Sequence, residues 1–145
     1  MKEKKKLSFK HLVLALFCSF LLSIGVMILI SYTFYATGSI PVWLFFVALI
    51  GFGYWFYKCD NTKRIWGRTF IGLSIESLAL PIAVFIFTVV FASKQSGGIE
   101  TAGAFIGGGI ATIIIGFLSF FFGAIMLIAG IFTLRSAKKA ESNKK

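Results

Sequence analysis

The sequence predicts an all-α, polytopic integral membrane protein, a four-transmembrane-helix antiparallel bundle with both termini on the cytoplasmic side. Three observations carry this. The chain contains four long apolar stretches, and a hydrocarbon core is crossed by about 20 apolar residues in a helix. All Lys and Arg except Lys94 fall on one side of those stretches, as the retention of basic residues in short cytoplasmic loops requires. Almost nothing is left over: of 145 residues 58% are hydrophobic, so no segment remains to build a separate soluble domain.

The whole of 1–145 therefore reads as one membrane domain with spans at about 12–36, 40–57, 70–91 and 108–134, between basic tails 1–11 and 135–145. Each span should be helical, because backbone groups in lipid must pair within their own segment. The first follows a basic start and resembles a secretory signal in outline. Its apolar run is longer than the core of a signal, which has about 7–15 residues. Phe34-Tyr35-Ala36 also lacks a small residue two before the cut, so the segment is expected to stay as an anchor. Thr37-Gly38-Ser39 before Ile40-Pro41 predicts a tight hairpin to the second span. No charged residue occurs from His11 to Tyr57. The third span contains Pro81, which removes one backbone hydrogen bond and predicts a kink near Ser77–Pro81.

The fourth apolar block runs from Ala102 to Leu134. As one helix it would be roughly 50 Å long, against a hydrocarbon core of about 30 Å. Glycines 103, 107, 108 and 109 crowd its outer end. The regular span is therefore expected to begin near Gly107–Ile110, with 97–108 as a loop, a short interfacial helix or a partial re-entrant piece.

Charge fixes the orientation and limits the partners. The N-terminal segment has Lys2, Lys4, Lys5, Lys6 and Lys10 against Glu3; the 58–68 segment has Lys58, Lys63, Arg64 and Arg68 against Asp60; the C-terminal tail has Arg135, Lys138, Lys139, Lys144 and Lys145 against Glu141. Basic clusters beside membrane spans suit anionic lipid headgroups. They are too short to form the mixed basic and aromatic surface of a nucleic-acid binder, so no nucleic-acid partner is expected. Tyr32, Tyr35 and Trp43 lie at the outer interface of this topology and Tyr54, Trp55, Tyr57 and Trp66 at the inner one, where such rings sit at headgroup level. Cys18 in a span and Cys59 in a cytoplasmic loop are not expected to pair. Two Cys with one His cannot build a four-ligand zinc site, so no metal or other cofactor is expected. No enzyme motif occurs and no pair of acidic residues falls within reach, so no catalytic residue is assigned. The small size, minimal loops and Lys-rich ends point to a bacterial cytoplasmic membrane.

Two features could carry function. Gly109, Gly116, Gly123 and Gly130 repeat every seven residues, with Thr112 and Ser119 three residues after the first two. Small residues at that spacing let two helices approach closely and hydroxyls bond across the contact. Glu76 is the single ionisable residue firmly within a span. A charge at such depth costs at least ~2.5 kcal/mol, so it should be protonated, paired or facing a wet cavity. Gly72, Ala79 and Ala83 share its helix face, predicting that Glu76 points into a helix contact. The expectation follows that this face packs on the glycine seam, placing Glu76 near Gly123, Met126 and Gly130. The favoured function is a structural or accessory membrane component, packing in a homo-oligomer or a larger complex; the alternative is a small proton-coupled transporter or channel using Glu76.

Overall fold

The computed structural model describes residues 9–34, 42–59, 61–94 and 98–142. They form four helices: α1 (Phe9–Phe34), α2 (Trp43–Tyr57), α3 (Thr62–Ser93) and α4 (Ile99–Ser142). The hairpin at 37–41 and the ends of both basic tails lie outside the described residues. α1, α3 and α4 are long and apolar enough to cross a membrane, whereas α2 is apolar but shorter. From Trp43 to Tyr57 it extends roughly 22 Å.

Two helices are longer than expected. α3 starts at Thr62, well before the predicted span at 70, because Asn61 caps it. The Asn61 backbone is extended and its side chain accepts from the Lys63 N–H at 3.1 Å, which satisfies one of the free donors of the first turn. Lys63, Arg64 and Arg68 therefore lie on helix, not in a loop. α4 begins at Ile99, which corrects the expected loop or re-entrant piece at 97–108. Each interior Gly costs about 1 kcal/mol of helix propensity. An apolar segment gains nothing by exposing unpaired backbone, however, so the helix runs on through the glycines. α3 likewise passes through Pro81 without interruption.

The helices alternate in direction. His11 meets Cys59 and Phe20 meets Phe45, so α1 and α2 are antiparallel. Leu22 packs on Gly72 and Tyr32 on Phe87, so α1 and α3 run parallel. Gly67 faces Gly130 and Thr88 faces Gly108, so α3 and α4 are antiparallel. The substantial packing pairs are α3 with α4, α1 with α3 and α1 with α2. The bundle is thus an open row, α2–α1–α3–α4, in which α2 and α4 each have one principal neighbour.

A buried hydrophobic cluster sits at the basic end. Ala15, Cys18, Leu22, Phe56, Cys59 and Ile65 form a buried cluster drawn from α1, α3 and the end of α2. The connection after α2 is tied down by the His11 ring, whose Nε2 lies 2.7 Å from the Cys59 carbonyl oxygen. The Arg68 guanidinium stacks 5.0 Å from the Trp55 ring and donates to the Cys59 Sγ at 3.1 Å. Neither cysteine is in a disulfide.

Candidate intramembrane carboxyl site

α3 has to satisfy two neighbours at once, and that sets where Glu76 points. Its α4 side is Gly67, Ile71, Ser74, Leu78, Pro81 and Thr88. Ser74 and Glu76 are two positions apart, about 200° around a helix, so Glu76 cannot share that side. It faces α1 instead. Gly25 makes this possible: the Glu76 carboxyl occupies the place a Cβ at position 25 would take. Gly72, one turn earlier, is covered in the same way by Leu22 of α1.

This corrects the expectation that the Gly72–Glu76 face meets the glycine seam. Ala83 is buried and Ala79 partly buried on α3. Gly123 and Gly130 meet Ser74, Leu78 and Ile71, not Glu76. Arg68 is engaged with Trp55 and Cys59 two turns away. Glu76 is partly buried, and among the described residues it has neither a hydrogen-bond nor an ion-pair partner.

Glu76 opens onto a cleft of about 530 Å³ between α1, α3 and α4. The cleft exists because α1 and α4 each pack chiefly on α3 from different sides. Gly25, Ile28 and Leu29 form one wall, Leu118, Ser119 and Phe122 the other, and Leu73, Glu76, Ser77 and Leu80 the floor. The Ser77 hydroxyl is already used, donating to the Ser119 carbonyl at 3.0 Å. The lips face outward: Leu118 is 63% exposed and Ile28 46%. Glu76 lies near the middle of α3, which runs from Thr62 to Ser93. An acid at this place can exchange a proton or attract a cation; among the described residues no basic side chain lines the cleft.

Comparisons with protein families, with curated proteins and with solved structures return no match. The site therefore rests on its own geometry.

The glycine seam is used inside the chain. Gly130 is in backbone contact with Gly67, Gly123 accepts the Ser74 hydroxyl at its carbonyl at 2.8 Å, and Gly116 lies against the Pro81 ring. Gly109 has nothing within 4 Å of its side-chain position; Gly108 takes its place, covered by Thr88. A straight helix drifts about 20° per heptad, so over three heptads from Gly130 the seam residue turns about 60° away while its predecessor lies about 40° to the other side. Thr112 and Thr133 do not bond across helices. Their hydroxyls donate to Gly108 and Ala129 of their own helix.

The interhelical donors come from α3, and the sequence reading missed them. Gly67, Ser74, Pro81 and Thr88 also recur every seven residues, the same period as the seam they meet. That repeat was visible as soon as the two helices were compared at one period. Gly25 was missed for a different reason: a single Gly in an apolar helix carries no signal until its neighbour is known.

Proposed function

We propose that the chain is a small polytopic protein of a bacterial cytoplasmic membrane whose working group is Glu76, a proton- or cation-handling carboxyl in a cleft that opens sideways to lipid, as a small transporter or channel would use. Its basic ends face the cytoplasm against anionic headgroups, in keeping with the positive-inside distribution. The observation that carries the reading is the mid-helix carboxyl at an open cleft, with no hydrogen-bond or ion-pair partner among the described residues. Acids within spans are rare, costly and tend to mark ion or substrate paths. A carboxyl kept only to fix helix register would be expected to spend its hydrogen bond on a neighbouring helix, as Ser74 and Ser77 do.

A membrane-soluble carbodiimide tests this. It modifies a carboxyl that is protonated part of the time and reachable from lipid. In vesicles containing the full chain, Glu76 is expected to be modified, as read by peptide mass, while a water-soluble carbodiimide leaves it untouched. An intact, folded chain whose Glu76 resists the membrane-soluble reagent would remove the reading.

The structural or accessory reading keeps one supporting observation, the open row with α2 and α4 each bound on one side. Gly116, Gly123 and Gly130 are already covered by α3, so a partner or second protomer would use other faces. Purification in mild detergent separates the two: a stoichiometric larger partner supports the accessory role, and a chain recovered alone or as a simple oligomer does not.

A further inference from the structure

We propose that the Glu76 cleft takes an organic monocation dissolved in the bilayer, an amine with an apolar body, which enters between α1 and α4. This rests on the reading of Glu76 as the working group and names what it works on. The walls set the chemistry. Apart from Glu76, Ser77 and Ser119 the lining is Gly, Ile, Leu and Phe, and the Ser77 hydroxyl is committed to the Ser119 carbonyl. A bare divalent ion needs about six or more oxygen ligands and finds too few here. An anion is repelled by the carboxylate. A neutral apolar molecule leaves the acid without a partner, at the cost of a desolvated polar group. An ammonium group on an apolar body meets both demands at once, its charge against Glu76 and its body against Ile28, Leu29, Leu80, Leu118 and Phe122.

Size and access agree. The cleft measures about 530 Å³ and is open along its outer side, so it would hold one face of a small apolar body. Its outward lips, Leu118 and Ile28, place the entrance on the lipid side. The cation cannot come from another copy of this chain at that depth, since no Lys or Arg occurs at 11–57, 69–93 or 101–134.

The test uses the full chain in phosphatidylcholine vesicles with radiolabelled n-octylamine as probe. Binding above the partition into empty vesicles should saturate, and Glu76→Gln should weaken it by about 30-fold or more, the lower end for removing one partner of a buried charge pair. Leu118→Trp enlarges a lip of the cleft and keeps the acid, and it too should weaken saturable binding. N,N-dimethyloctylamine, a tertiary amine that an activated carboxyl cannot turn into an amide, should protect Glu76 from the membrane-soluble carbodiimide. Trimethylamine, a charge without a body, and n-octanol, a body without a charge, should not. Protection by octanol equal to that by dimethyloctylamine overturns the proposal, as does equal octylamine uptake by wild-type and Glu76→Gln vesicles. If either occurs while Glu76 is still modified, the amine class is wrong and the reading of Glu76 stands. If Glu76 is never modified, that reading falls first. Detergent unfolding midpoints within the wild-type range show that both variants are folded.

Discussion

Replacing Gly130 by Ala and Gly109 by Ala adds the same methyl group to the same heptad seam, yet the two changes should have opposite effects. A Cβ on Gly130 would lie 3.0 Å from the Gly67 carbonyl oxygen, 3.2 Å from the Ile71 nitrogen and 2.8 Å from the Ile71 Cγ1. Two of these atoms are backbone, so ordinary contact is restored only by moving α3 and α4 apart by a few tenths of an ångström. Overpacking of this kind costs about 1–3 kcal/mol, and the better helix propensity of Ala returns up to about 1 kcal/mol. Gly130→Ala should therefore lose about 1–2 kcal/mol. A Cβ on Gly109 meets nothing within 4 Å, so Gly109→Ala should be neutral or gain up to about 1 kcal/mol. The difference, about 2 kcal/mol, is roughly 30-fold in the folding equilibrium. Titration of the chain in mixed micelles with sodium dodecyl sulfate, followed by tryptophan fluorescence, measures both variants on one scale. Equal midpoints, or a more stable Gly130→Ala, would refute the close backbone contact of Gly67 with Gly130.

Three further outcomes are expected. Gly108→Ala runs into the Thr88 side chain, so it should cost about 1–3 kcal/mol alone and much less in a Thr88→Ala background; additivity of the two changes in a double-mutant cycle would rule out the contact. Ser74→Ala loses the bond to Gly123 and should cost about 0.6 kcal/mol, at most about 1.7 kcal/mol. Ser31→Ala, which loses only a bond to Met27 of its own helix, should stay closer to zero in the same titration. Arg68→Ala removes the stacking on Trp55 and the hydrogen bond to the Cys59 thiol, so maleimide should label Cys59 faster than in the wild type, where it is 4% exposed; rapid labelling of the wild type would contradict the clasp.

Helix type was legible from residues alone because hydrophobic runs of this length have few structural options in lipid. The ends were less legible. The start of α3 depends on Asn61, a single cap that reads like any polar loop residue beside Lys63 and Arg64. The start of α4 was obscured because glycine spacing looks the same whether the backbone is a loop or a helix with open space around it. The site was legible only as a residue. Glu76 stood out as the acid within a span, but its neighbours were assigned to the wrong helix, since Gly72, Ala79 and Ala83 describe a small face without saying which partner covers it.

The sequence by itself determined that this chain is helical, that it is apolar enough to cross a membrane, and which acid is out of place within a span. Those are properties of composition and period, set by the cost of unpaired backbone and of charge in hydrocarbon. Which helix meets which was decided only in the tertiary structure. Two seams of period seven, one on α3 and one on α4, lock together and turn Ser74 toward Gly123. The helical pitch then carries Glu76 to the far side of α3, against Gly25 and the open cleft.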